Sequence, residues 1–331
     1  MHIKFCPVRY LILTAIMAVI LTCPLTARAD SAVEWLNKGG KLGSAGRYQE
    51  AIECLDRAID INPKYALAWY NKGVVLTRLG RYQEAINCYD RALELDPEYV
   101  DAWYNKGVAL GKLGRYQEAI NCYDRALELD PKFSYAWSGK GVALRNMGRY
   151  QEAIDCYDRV LEIDPKDAHA WYNKGAALDD LARYQEAINC YDRALELNPK
   201  LAYAWSGKGE ALDGLGRYQE AINCYDRALE LDPKFSYAWS GKGLTLSKLG
   251  RNQEAISHIN KSLELDSKNK YAYANKGWIL NKMGMTPIEV LECYEKALAI
   301  DPKHVPDWSK DKTPLAETPE YKQAKGAVDG R

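Results

Sequence analysis

The sequence predicts an all-α chain built as a stacked array of antiparallel helix pairs, and three ladders of residues carry that prediction. Trp35, Trp69, Trp103, Trp137, Trp171, Trp205 and Trp239 recur every 34 residues, with Tyr273 in the next place. Gly39 to Gly277 and Ala51 to Ala255 keep the same step. Pro63, Pro97, Pro131, Pro165, Pro199 and Pro233 close successive units. A fixed period of this length makes a chain of stacked supersecondary units, each packed on its neighbours, and not a globule around one centre.

The first 29 residues read as an export signal. Lys4 and Arg9 precede an apolar run, Tyr10 to Cys23, and Ala27-Arg28-Ala29 fits an A-x-A cleavage site. The run is shorter than the ~20 residues an ordinary spanning helix needs. An uncleaved anchor is the alternative reading. Ser31-Ala32-Val33-Glu34 has the form of a capping box, so a helix is expected to start just after the proposed cut.

Residues 66–99 set the pattern of the array. Leu67 to Leu79 lacks Pro and is rich in helix formers, and Gly80 supplies a left-handed stop. Gln83 to Leu95 forms the second helix, with Glu84 near its positive N-terminal end. Asp96-Pro97 ends it, because the residue before Pro is pushed out of the helical region. Connections this short make the two helices antiparallel neighbours. Gly73, in mid-helix, costs about 1 kcal/mol relative to Ala, so its recurrence needs a packing reason. Gly73, Ala85 and Ala92 permit close approach, and Tyr89 fills the remaining space.

Trp69, Gly73, Ala85, Tyr89, Ala92 and Pro97 stand at the spacings of the tetratricopeptide repeat signature, and the match recurs from Ala32 to about Lys303. The chain therefore resembles that family, with repeats at about 32–65, 66–99, 100–133, 134–167, 168–201, 202–235, 236–269 and 270–303 inside a solenoid at 30–303. The resemblance implies a right-handed superhelix, first helices lining a concave groove and second helices on the convex back. It also implies a protein that binds a peptide or another protein. The seventh repeat departs from the pattern, with Ile259, Ser262 and Ser267 for Tyr, Ala and Pro. The eighth has an extra residue in its inner turn, Pro287 near the start of its second helix, and Val290 for Ala. The tail, 304–331, is polar, with a short helix expected at 318–328: Thr318 is its cap, Pro319 its first residue, and Tyr321, Ala324 and Val328 its narrow apolar stripe.

Composition excludes several functions. Basic and acidic residues number 45 each. Beyond residue 29 the chain has 42 basic and 45 acidic residues, which is no electrostatic footprint for nucleic acid. No catalytic constellation, metal-ligand cluster or phosphate loop is present, so no cofactor and no enzymatic activity are expected. Gly207-Lys208-Gly209 lacks the third Gly and falls inside a predicted helix. Cys54, Cys88, Cys122, Cys156, Cys190, Cys224 and Cys293 form one rung of the repeat. Equivalent points on stacked pairs are separated by roughly 10 Å, beyond the ~7 Å a disulfide tolerates, so free thiols are expected. The carboxylate clamp of chaperone-binding relatives needs Lys and Asn four apart on one first helix. The matching pairs are Leu36 with Gly40, Tyr70 with Val74 and Tyr104 with Val108, so no clamp is visible. Beyond the N-terminal segment, nothing points to a membrane.

By the resemblance, the groove takes the exposed first-helix residues. Asn71, Asn105 and Asn173, with Asn37 and Asn275, form one rung, interrupted by Gly139, Gly207 and Gly241. They serve either to bind a peptide backbone or to bond within the stack. Tyr135, Tyr203 and Tyr237, with Tyr271, form a second rung, suited to binding or to packing. A third set varies in charge: Arg78, Lys112 and Arg145 are basic, Asp179, Asp180, Glu210 and Asp213 acidic, and Lys248 and Lys282 basic again. This pattern either orients a partner of complementary charge or is a solvated face.

Overall fold

The computed structural model describes residues 24–306, 309 and 313–330. The chain divides into two compact units, one ending at Ala102 and the other beginning at Trp103. Each is a stack of antiparallel helix pairs. Among the described residues every regular element is helical, and no helix is long and apolar enough to cross a membrane.

The first unit holds α1 (Pro24–Ser44), α2 (Tyr48–Ile61), α3 (Ala66–Arg78), α4 (Tyr82–Leu95) and the first residues of α5 (Val100–Lys112). The apolar run Tyr10 to Cys23 lies outside the described residues. The expected helix start at Ser31 is corrected: α1 runs without a break from Pro24, so Ser31 stands inside a helix and has no cap to form. The predicted helices of the second repeat are each displaced by one residue at their start. α4 begins at Tyr82 and has Arg81 in the capping place without a side-chain cap. Arg81 instead reaches forward to Glu84, Nε donating to Oε1 at 2.6 Å.

Close approach explains Gly73. A Cβ built there would lie 2.6 Å from the Tyr89 ring, so the ring and the helix backbone share the space that any side chain would take. Tyr89 is fully buried with Ala85 and Ala92. Its hydroxyl meets Thr77 Oγ1 at 3.0 Å, which satisfies the polar tip of a core aromatic.

The second unit continues with α6 (Tyr116–Leu129), α7 (Ser134–Asn146), α8 (Tyr150–Ile163), α9 (Ala168–Asp180), α10 (Tyr184–Leu197), α11 (Ala202–Gly214) and α12 (Tyr218–Leu231). It ends with α13 (Ser236–Lys248), α14 (Asn252–Leu265), α15 (Lys270–Lys282), α16 (Pro287–Ile300), a 3₁₀ turn at Leu315–Glu317, and α17 (Pro319–Asp329). Two contacts join each of the fourth to seventh repeats to the one before it. Trp137, Trp171, Trp205 and Trp239 donate Nε1–H to the carbonyls of Pro131, Pro165, Pro199 and Pro233 at 3.0–3.1 Å. Lys140, Lys174, Lys208 and Lys242 reach back to Asp124, Asp158, Asp192 and Asp226 at 2.5–2.6 Å. The proline therefore does more than stop a helix, since its carbonyl is an acceptor for the next unit.

The seventh repeat replaces apolar packing with hydrogen bonds. Ser262 Oγ donates to the Ser236 carbonyl at 2.8 Å, and Asn269 Nδ2 donates to Ser236 Oγ and Ser262 Oγ at 2.8 and 3.0 Å. All three side chains are buried, and such groups are tolerated inside only when paired in this way. The second helix of the eighth repeat, α16, opens on a capping box between Thr286 and Glu289, with Pro287 as first helical residue. In the tail, Thr318 caps α17 by accepting from the Tyr321 N–H at 3.3 Å. α17 packs its Tyr321 and Ala324, with Leu315, against Val290, Leu291 and Tyr294.

Candidate functional site

In the second unit each first helix touches the first helix of the next repeat: α7 with α9, α9 with α11, α11 with α13, and α13 with α15. No contact of like extent joins successive second helices among its described residues. The first helices thus form the closely spaced inner row, and their exposed positions converge on one face.

Aromatic side chains line one margin of that face. Tyr135 and Tyr237 are half exposed, at 50% and 51%. Tyr135 leans on Phe133 and Tyr104, and Tyr237 on Phe235 and Tyr271. Tyr203 is held more firmly. Its hydroxyl meets His169 Nδ1 at 2.7 Å, and its ring stands edge-on to Tyr172 at 4.4 Å. Burial, then Tyr172 and Asp167, push the Tyr203 hydroxyl up to about 12. The rung is therefore mixed: Tyr203 is fixed by packing, while Tyr135 and Tyr237 present open ring surface.

The asparagine rung divides between its two readings. Asn105 and Asn275 are buried, and Asn275 Nδ2 donates to Ser240 Oγ at 3.2 Å. Asn71, in the first unit, and Asn173 are half-buried. The glycines that interrupt the rung show why it faces inward. A Cβ at Gly139 would lie 2.7 Å from the Tyr123 ring, so this position packs over the preceding repeat's core tyrosine.

The charged set is rearranged most. Arg145 Nε donates to Asp180 Oδ2 at 2.5 Å across α7 and α9. Burial works against the Arg145 charge, but the Asp180 carboxylate outweighs it and holds the guanidinium firmly protonated. Lys248 pairs with Asp213 across α13 and α11, and Thr245 Oγ1 donates to the same carboxylate at 2.8 Å. Asp180 and Asp213 are thus cross-braces between repeats, and the reading of them as open surface charge is corrected. Lys282 likewise donates to the Ser247 carbonyl at 2.7 Å. Glu210 and Lys112 are exposed, Asp179 is half-buried, and Arg78 is half-buried in the first unit. Burial raises the Tyr172 hydroxyl, Arg145 lowers it, and Glu210, Asp180 and Asp179 raise it, so these groups cluster around one ring.

Sequence reasoning missed Tyr172 and Ala182. Ala182 adopts φ +59°, where the equivalent residues Gly80, Gly148 and Gly216 sit at +75° to +76°. The lost glycine was legible as a break in the ladder. The cross-braces are written in the sequence only as opposite charges 35 residues apart, which does not say that they meet.

Comparison with known families agrees with this architecture. A tetratricopeptide repeat model matches residues 100–133, 134–167, 168–201 and 202–235. A TPR repeat model matches 42–80 and 75–114, and a further tetratricopeptide repeat model matches 224–257. No curated protein matches the chain. Among solved structures, a tetratricopeptide repeat protein from Parabacteroides merdae has a TM-score of 0.63 at 18% identity, over 81% of this chain and 99% of its own. The APC/C hetero-tetramer Cut9-Hcn1 gives 0.62 at 18% identity, over 91% of this chain and 55% of that one. Pseudomonas aeruginosa pilF gives 0.55 at 19% identity, over 64% and 96%. At these identities the likeness is one of fold.

Proposed function

The chain belongs to the tetratricopeptide repeat family, and from that premise we propose that it is a protein-interaction scaffold whose inner row of first helices holds an extended segment of another protein. One observation carries the reading. The second helices are near copies, whereas the first helices vary on the face they share. That variable face bears the half-exposed rings of Tyr135 and Tyr237. Rigid aromatic surface of this kind gives contact area at small entropic cost.

The partner is a protein or peptide rather than a nucleic acid, given the near-neutral charge of the array. Export is part of the proposal and rests on the N-terminal residues: a basic start, an apolar run and Ala27-Arg28-Ala29. In that setting the partner belongs to the cell envelope or its exterior. N-terminal sequencing of protein from its native host checks export, which a chain still carrying Met1 would refute. A photo-crosslinking side chain at Tyr135 or Tyr237 should capture a partner that the same group at Glu186, on α10, does not. Capture from Glu186 alone would place binding on the second helices and remove the groove reading.

A further inference from the structure

Leu113 to Gly141 is repeated letter for letter from Leu215 to Gly243, three repeats further on. Each copy runs into the start of a first helix, α7 in one case and α13 in the other. Among the described residues phenylalanine occurs only in these copies, as Phe133 and Phe235. The units between them carry Asp167 and Leu201 in that register.

Both copies build the same exposed feature. The Tyr135 ring stands 5.9 Å from Phe133, and the Tyr237 ring 6.3 Å from Phe235. A third ring supports each from a different side. Tyr104, at 6.3 Å, comes from the repeat before Tyr135, and Tyr271, at 5.7 Å, from the repeat after Tyr237. The two tyrosines end equally open, and no other tyrosine among the described residues is as exposed. Between them along the row, His169 and Tyr203 are bonded to each other, and Tyr203 packs on Tyr172. The inner row of the second unit thus has two open rings with a closed pair between them.

Spacing and charge narrow what fits them. Three steps of roughly 10 Å set the two rings about 30 Å apart at most. At about 3.3 Å per residue, extended chain covers such a span in about eight residues, and an even number returns its side chains to one face. Lys132 and Lys234 are exposed three residues before the two rings, so a basic side chain is repelled at both places. An incoming aromatic ring instead extends the angled clusters already built there, at 69° between Phe133 and Tyr135 and 60° between Tyr237 and Tyr271.

We propose that Tyr135 and Tyr237 are twin anchor points for one extended segment of the partner, which carries an aromatic side chain twice, the second about eight residues after the first. The proposal rests on the groove reading above and deepens it. A single anchor gives a weak contact, since each ring offers one open surface and no enclosing pocket. Once the first aromatic is seated, the second binds from a high local concentration, and the pair holds far more tightly than either alone. Recognition is then set by the distance between two like residues. A segment with one aromatic gains no such advantage.

The test uses the full chain and labelled peptide pools, free of other aromatics, read by fluorescence anisotropy. The pools carry two Phe set four, six, eight, ten or twelve residues apart, or one Phe, two Leu or two Arg. Affinity should peak near a separation of eight and exceed that of the one-Phe and two-Leu pools by about tenfold or more. The two-Arg pool should bind least. Tyr135→Ala and Tyr237→Ala, each alone, should remove the whole advantage, because either loss prevents engagement of both ends. Tyr135→Leu and Tyr237→Leu should do the same, with a side chain the array already holds at Leu67, and all four variants should keep the melting temperature of the parent. Affinity indifferent to separation, or lost in the variant of one tyrosine only, would overturn the twin anchors. Two-Leu binding equal to two-Phe binding would overturn the aromatic assignment. Failure of every pool to bind, while a crosslinker at Tyr135 or Tyr237 still captures a partner, would overturn the twin anchors and leave the groove standing. Failure of both experiments would overturn both readings.

Discussion

Tyr321 covers Tyr294: their ring centroids lie 6.4 Å apart, and Tyr294 is entirely shielded from solvent. The last repeat of an array is expected to be the weakly packed one. Here α17 takes the place of a following first helix, and Leu315, fully buried, completes the contact. Tyr294→Ala should therefore cost as much as Tyr157→Ala in a central repeat, about 3–5 kcal/mol for each. Hydrogen exchange of the flanking helices measures both. A markedly smaller loss at Tyr294 would mean that α17 contributes little.

Ala182→Gly should stabilise the chain. A non-glycine residue in the left-handed region carries about 1–2 kcal/mol of strain, against roughly 0.4–1 kcal/mol of added freedom in the unfolded chain. The net gain should be about 0.5–1 kcal/mol, seen as a higher denaturation midpoint at unchanged slope. A lower midpoint would show that the Ala182 methyl makes a contact worth more than its strain.

Asp213→Asn should destabilise. The carboxylate is 12% exposed and Lys248 21%, so the change leaves a largely covered ammonium with a weaker acceptor, at a cost of about 1–3 kcal/mol. Glu186→Gln, on an exposed pair with Arg183, should change stability by less than about 0.5 kcal/mol. Chemical denaturation of both variants decides whether the cross-brace is structural.

His304 gives the array an acid-sensitive end. Its side chain is 1% exposed, and burial, aided by the charge of Lys270 and opposed by Asp301, lowers it to about 4. The unfolded chain binds a proton near the ordinary value of 6.5, so the folded state binds fewer protons between those values. Stability is complete above about pH 6.5 and falls as the pH drops toward 4, by about 3 kcal/mol in all. His304→Gln should flatten this slope. A melting temperature of the parent that does not change between pH 7 and pH 4.5 would contradict the assignment.

The fold was legible because every architectural residue is restated many times over. Gly73, Ala85 and Tyr89 could be read as a mutual fit from spacing alone, and the structure places them in contact. The site was legible only as a set of varying positions. Charge type is written in the sequence, but whether Asp180 faces solvent or Arg145 depends on the offset between neighbouring first helices, which no single repeat contains. Ser31 misled for a related reason, since a capping pattern takes effect only if the residues before it leave the helix.

The braces at Arg145–Asp180 and Asp213–Lys248 also bear on how such an array is inherited. The tryptophan and lysine links recur unchanged across the fourth to seventh repeats, so whole units among them can be gained or lost by unequal recombination with their joints intact. The braces do not share that indifference. Excision of residues 168–201 would set Arg145 opposite Gly214, with no carboxylate to meet it. A handful of unlike charges thus fixes the order of otherwise interchangeable copies, and a lineage that keeps them has stopped treating its repeats as equivalent.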